Sequence, residues 1–162
     1  MGIGSHHSPK MITDEWLTPP EIIEALGPFD LDPCFLENRP WDTAKTHYTI
    51  KDNGLWKPWF GRIWLNPPYG KDTAVWLEKL VNHGNGIALI FARTETKMFF
   101  KYVWDAADTV LFIRGRLGFY RSDGTLPMKS GSGGPSVLIA YGSENAKILE
   151  NSNIDGKFIS LK

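Results

Sequence analysis

Three almost wholly apolar runs constrain this chain more than any other feature: Ile87-Ala88-Leu89-Ile90-Phe91-Ala92, Thr109-Val110-Leu111-Phe112-Ile113 and Ser136-Val137-Leu138-Ile139-Ala140-Tyr141. Each has the length of a strand, and a strand without polar alternation must be covered on both faces. Helix-like segments stand between the strand-like ones. Thr18-Pro19-Pro20-Glu21 reads as a helix start, with Thr18 as cap, Pro19 in the first turn and Glu21 closing a capping box. Ile22, Ile23 and Leu26 give that helix its apolar face, and Gly27 stops it. A second helix, capped by Asp72 or Thr73, carries Val75, Trp76, Leu77, Leu80 and Val81 and ends at Gly84. A third follows Thr94 with Phe99, Phe100, Val103 and Trp104. Further strands are expected at residues 29–32, 47–50, 62–65 and 158–161. This alternation predicts an α/β fold: a mostly parallel sheet with helices on both faces, in a single compact domain. The domain is expected over residues 13–162, behind a flexible leader at residues 1–12, and the Gly- and Ser-rich residues 128–135 read as a mobile loop.

Composition narrows the function. Of 162 residues only Cys34 is a cysteine, so no intrachain disulfide forms and a reducing, cytoplasmic setting is expected. Lys+Arg and Asp+Glu are both 18, so nucleic acid can be met only through a local basic patch. No apolar run approaches the roughly 20 residues of a membrane span, and no membrane partner is expected. His6-His7 has no Cys or carboxylate cluster beside it, and no metal site is expected. Aromatic residues make up 13% of the chain, more than a core of this size requires, which leaves some for recognition surfaces.

Open α/β sheets bind ligands beyond the carboxyl ends of their strands. Two strands here end in unusual chemistry: Asp32-Pro33-Cys34 and Asn66-Pro67-Pro68-Tyr69. In the second, two prolines fix φ and remove two backbone donors. They hold Asn66 and the Pro67 carbonyl as acceptors with no N–H competing. A planar amino group has two hydrogens to give, and the Asn66 side-chain oxygen and Pro67 carbonyl can take one each. That draws the nitrogen lone pair out of conjugation and aims it. Tyr69 can stack on a flat ring. The plainer reading of these residues is a strand-ending turn with Tyr69 in the core.

Asn66-Pro67-Pro68-Tyr69 resembles the catalytic motif of S-adenosylmethionine-dependent amino-methyltransferases. The wider pattern resembles the phage-type DNA N6-adenine methyltransferases: Trp16-Leu17-Thr18-Pro19-Pro20, Phe29-Asp30-Leu31-Asp32-Pro33-Cys34, Asn53-Gly54-Leu55 with Trp59, and Ile113-Arg114-Gly115-Arg116-Leu117-Gly118-Phe119. It covers residues 14 to about 142. The resemblance implies a Rossmann-like class I methyltransferase fold, S-adenosylmethionine as cofactor and adenine in DNA as substrate. By the same resemblance Thr18 and Pro19 lie near the methionine end of the cofactor. Asp32 engages its amino group, and Pro33 and Cys34 line that pocket. Asn66, Pro67 and Tyr69 are catalytic, and Pro68 sets their shape.

The chain departs from many class I enzymes in having no Gly-x-Gly loop after its first strand, where Pro33-Cys34-Phe35-Leu36-Glu37-Asn38 follows Asp32. The adenosine end of the cofactor is therefore not placed. Asp52 is either a ribose or adenine contact or a turn residue beside Asn53-Gly54. Arg114 and Arg116 can reach phosphate and Phe119 can pack on an extruded base; the plainer reading is a hairpin with Phe119 in the core. Arg93, just past an apolar strand, also lies on the expected ligand side. Two other functions fit the same residues. One is methyl transfer to RNA bases or protein glutamine; the other is a catalytically silent, methyltransferase-like DNA-binding module. Recognition sequence, oligomeric state and biological setting (phage protection or restriction–modification) are not specified by these residues.

Overall fold

Seven strands build one sheet in the computed structural model, which describes residues 17–37, 39–121, 123–125 and 134–162. The expected leader at residues 1–12, Trp16 of the quoted motif and most of the Gly- and Ser-rich loop lie outside the described residues. The strands are β1 (Leu31–Asp32), β2 (Thr46–His47), β3 (Ile63–Leu65), β4 (Gly86–Phe91), β5 (Thr109–Ile113), β6 (Ser136–Tyr141) and β7 (Gly156–Ser160). Their order across the sheet is β2-β1-β3-β4-β6-β5-β7.

The sheet is mixed, which corrects the mostly parallel arrangement expected from the sequence. β1, β2, β3 and β4 pair parallel, whereas β6 pairs antiparallel with β4 and β5, and β7 antiparallel with β5. The physical reason lies between β5 and β6. No helix among the described residues there carries the chain back to the far edge, so β6 begins at the end where β5 finishes. β6 is nevertheless an interior strand buried along its whole length. Full burial, and not parallel pairing, is what its apolar run encodes.

Helices cover both faces, as expected. They are α1 (Pro20–Leu26), α2 (Thr73–His83), α3 (Lys97–Phe99, continued by a π-helical turn at Phe100–Trp104) and α4 (Ser143–Glu150). Alternate strand residues point to opposite layers. Ile63, Leu65, Ala88, Ile90, Val137 and Ile139 pack with Leu77 and Leu80 of α2 and with Phe99 and Val103. Trp64, Ile87, Leu89, Leu138 and Ala140 pack with Ile22 and Leu26 of α1 and Leu149 of α4. Far from the ends that bear the unusual chemistry, Arg62 ties the second layer together. Its guanidinium donates to Asn145 Oδ1 at 2.8 Å and to the carbonyls of Pro28 at 2.8 Å and Leu26 at 3.0 Å.

Three local expectations shift. The cap of α1 is Pro19, with no side-chain cap bond, so Thr18 does not close a capping box. α3 is capped by Thr96, whose hydroxyl accepts from Phe99 N–H at 3.2 Å, not by Thr94. α4 was not expected at all: its first turn has no side-chain cap, and most of its residues are polar. α2 ends as expected at Gly84, which takes a left-handed conformation with φ of 79°.

Between β2 and β3 the chain folds back on the segment after β1. A Cβ on Gly54 would lie 2.4 Å from the Pro33 carbonyl oxygen and 3.2 Å from the Trp76 ring. Gly54→Ala is therefore expected to destabilise the fold by about 1–3 kcal/mol, the cost of overpacking. Gly118→Ala, whose Cβ meets nothing within 4 Å, serves as control and should change stability by about 0.5 kcal/mol or less. Urea unfolding of both variants checks the pair; equal stabilities would show that the Pro33–Gly54 approach is not tight.

Candidate active site

A cavity of about 1120 Å³ opens where β1, β3 and β4 end and β6 begins. Residues 33–36 after β1, residues 66–70 after β3, and Leu89, Ile90 and Phe91 of β4 line it, together with Trp76, Arg93, Phe119 and Ser136. The strand-end tetrapeptide is held in place from several sides. Asn66 donates through its amide nitrogen to Thr18 Oγ1 at 3.2 Å. The Thr73 hydroxyl, at the start of α2, donates to the Pro68 carbonyl at 2.7 Å. Tyr69 is 41% exposed. Arg93 donates to its hydroxyl at 2.6 Å, and Phe91 meets its ring edge-on with centroids 5.0 Å apart. Tyr69 is therefore not core: it stands at the cavity wall with one polar and one apolar support.

Asp32, at the end of β1, is 2% exposed. Its carboxylate accepts from the Cys34 N–H at 2.9 Å and from the Thr43 hydroxyl, and Arg39 lies 3.9 Å away. Burial raises the Asp32 carboxyl above its ordinary value, opposed by Arg39, Thr43 and the Cys34 amide. Burial and the neighbouring Asp32 push the Cys34 thiol up as well. Arg39 packs over the Phe35 ring at 4.2 Å, and Phe35 stacks on His47 at 3.6 Å. Asp32 does not itself line the cavity; Pro33, Cys34 and Arg39, which it organises, do.

The other expected residues divide. Pro33, Cys34, Asn66, Pro67, Pro68, Tyr69 and Phe119 share the cavity, and Thr18 reaches it through Asn66. Pro19 is buried beside Thr18. Asp52, Arg114 and Arg116 do not line it. The Asp52 carboxylate closes a turn by accepting from Thr49 N–H at 2.8 Å, with Lys57 at 3.5 Å. Those contacts hold its pKa low. Arg114 lies past β5, 3.1 Å from Asp155. Arg116 is exposed. Phe119 packs into the core and lines the cavity at once, so both readings of it hold in part.

Sequence reading missed two members of the site. One is Arg39, whose side chain is buried although nothing in its local pattern marks it as so. Lys79 on α2 reaches across to donate to the carbonyls of Leu55 at 2.8 Å and Lys57 at 2.6 Å, which fixes the loop beside the cavity.

The Asp32–Arg39 pair yields a pH-dependent expectation. A carboxyl raised above its ordinary 3.8 favours the fold when protonated. That contribution is fully present below pH 3.8 and is lost as pH rises through the raised value. Arg39→Met removes the compensating charge and raises Asp32 further. It should cost about 3 kcal/mol at neutral pH, and the difference from wild type should shrink in mild acid. Urea unfolding across the pH range checks this; a difference that is flat with pH would show that Asp32 carries no uncompensated charge in the variant.

No helix among the described residues is long and apolar enough to cross a membrane, and no group of His, Cys, Asp or Glu among them is placed to hold a metal. Comparison with curated protein sequences returns no match. The family model for DNA N-6-adenine-methyltransferase (Dam) matches residues 5–155. That span takes in every strand of the sheet but the last, and the whole cavity. The chain that places Asn66-Pro67-Pro68-Tyr69 at this cavity thus belongs to the DNA N-6-adenine-methyltransferase (Dam) family.

Proposed function

We propose that this chain transfers a methyl group from S-adenosylmethionine to N6 of adenine in DNA, as a Rossmann-like class I methyltransferase. The observation that carries the reading is the Asn66-Pro67-Pro68-Tyr69 turn, lining a cavity at the strand ends in a chain of this family. The cavity, about 1120 Å³, exceeds the ordinary single-ligand site of roughly 300–1,000 Å³ and has room for a cofactor and a base together. Its chemistry fits the cofactor. Arg39 Nε is buried with no hydrogen-bond partner, next to Asp32 and the Pro33-Cys34 turn. Pro33, Cys34 and Arg39, organised by Asp32, are assigned to the amino-acid end of the cofactor. When bound, S-adenosylmethionine supplies an electrophilic methyl on a positively charged sulfur.

The protein's residues prepare the acceptor. The Asn66 side-chain oxygen and the Pro67 carbonyl each accept one N6 hydrogen and hold the amine out of conjugation with the ring. Tyr69 stacks on the base, and Arg93 and Phe91 keep its ring in position. Phe119 supplies apolar wall. The tetrapeptide contains no general base and needs none, because an amine that has gained a methyl is cationic and loses its proton to solvent. Reaching N6 in a duplex requires extruding the base, at a cost of about a few kcal/mol. Arg114 and Arg116 are assigned to phosphates.

Methyl transfer to DNA, RNA and protein, measured side by side with labelled cofactor, tests the function. Transfer to DNA at adenine is expected; transfer to RNA or protein alone would reassign the acceptor, and cofactor binding without transfer would make this a silent DNA-binding module. Asn66→Ala should lower turnover by roughly 10²-fold or more, with cofactor affinity by calorimetry within about threefold of wild type. Turnover near wild type would refute the assignment of Asn66. Residues 35–60 and 114–135 are assigned to reading sequence, and a short target of about two to four base pairs is expected. Mapping N6-methyladenine in a methyl-free genome after expression checks it; a strict target of about six base pairs or more would overturn it.

A further inference from the structure

We infer that Thr18 is a positioning residue for Asn66: its hydroxyl takes an amide hydrogen of Asn66 and so turns the amide oxygen toward the cavity. The inference rests on the methyl-transfer reading above. It starts from a repetition in the sequence, Thr18-Pro19-Pro20 and Asn66-Pro67-Pro68. A residue before proline is confined to extended conformations. Asn and Thr side chains ordinarily satisfy themselves on the backbone N–H two residues on. Here that residue is proline in both segments, and there is no N–H to bond. The two side chains have been denied their local partner for the same reason, and they meet each other. The amide nitrogen of Asn66 lies 3.2 Å from Thr18 Oγ1, across 48 positions of sequence.

The placement of the pair is asymmetric. Thr18 is 1% exposed, whereas Asn66 lines the cavity. Thr18 is also held from both sides. Before it, Leu17 exchanges backbone hydrogen bonds with Tyr120, at 2.7 Å and 3.0 Å. After it come the two prolines that open α1, a helix whose first turn makes no use of the Thr18 hydroxyl. A buried, fixed hydroxyl that binds the amide nitrogen leaves the amide oxygen for the cavity. An amide turned the other way would set its own hydrogens against those of the adenine amine and accept nothing. Thr18 therefore governs the rate of transfer through Asn66, in distinction from the cofactor contact that the family resemblance implies for it.

The test compares Thr18→Val, which keeps shape and loses the hydroxyl, with Thr18→Ser, which keeps the hydroxyl. Two readouts are used: single-turnover methylation of unmethylated duplex DNA at saturating S-adenosylmethionine, and the side-chain amide resonances of Asn66, identified by their loss in Asn66→Asp. Thr18→Val should slow transfer roughly ten- to a hundredfold, with cofactor affinity within about threefold of wild type, and should shift the Asn66 amide resonances. Thr18→Ser should keep both near wild type. In an Asn66→Ala background, Thr18→Val should add nothing further, as expected of residues acting as one unit. A wild-type rate in Thr18→Val, a rate restored by more cofactor, or unmoved Asn66 resonances would each overturn the inference. A wild-type protein that methylates no DNA would refute the proposed reaction instead, and the amide resonances would still decide whether Thr18 orients Asn66.

Discussion

Strand β4 joins two ladders of opposite sense, and the cavity exists because of that junction. On one side it pairs parallel with β3, Ile63 opposite Gly86 through Leu65 opposite Ala88. On the other it pairs antiparallel with β6 along its full length, Gly86 opposite Tyr141 through Phe91 opposite Ser136. Its carboxyl end therefore lies beside the end of a parallel strand and the beginning of a reversed one. Loops from both halves of the sheet converge there: the Asn66-to-Gly70 turn from one, Phe119 and Ser136 from the other. Such convergence needs all of the central strands to be covered on both faces, which their apolar residues and the two helical layers provide.

At the end of β1 the fold buries a carboxylate, that of Asp32. Removing a carboxylate from water is unfavourable unless several partners replace the hydration. Here they are the Cys34 amide, the Thr43 hydroxyl and Arg39, drawn from three points along a loop with little regular structure. The carboxylate thus organises the stretch of chain from Cys34 to Thr43. The same arrangement fixes the Pro33-Cys34 turn against Gly54 and brings Arg39 to the cavity. Stability and site geometry share one set of contacts in this region.

Much of the architecture was legible because burial leaves a plain mark on sequence. The runs at residues 87–92, 109–113 and 136–141 all became interior strands, and the apolar positions of α1 and α2 pack against the core except Val75, which is exposed. Direction was not legible. A strand buried on both faces has the same composition whether it runs parallel or antiparallel, so β6 read as parallel. Cap chemistry misled at Thr18 because a hydroxyl available to a helix N-terminus was equally available to a distant amide. The Asn66-to-Tyr69 turn was legible because proline pairs after a strand have so few conformations open to them. Arg39 and Lys79 were not, since each acts through contacts made only once remote segments have met.

The paired prolines have a chemical side effect. Pro67 and Pro68 contribute carbonyls but no amide hydrogens to the cavity wall, so the turn after Asn66 is rich in oxygen and poor in donors. Such a turn suits an amine and opposes a keto oxygen, which would face other oxygens with nothing to bridge them. Adenine that has lost its amino group by deamination presents that oxygen at the same position. On the proposed reading, the geometry that activates the intact base also turns the damaged one away, and no separate proofreading element is required.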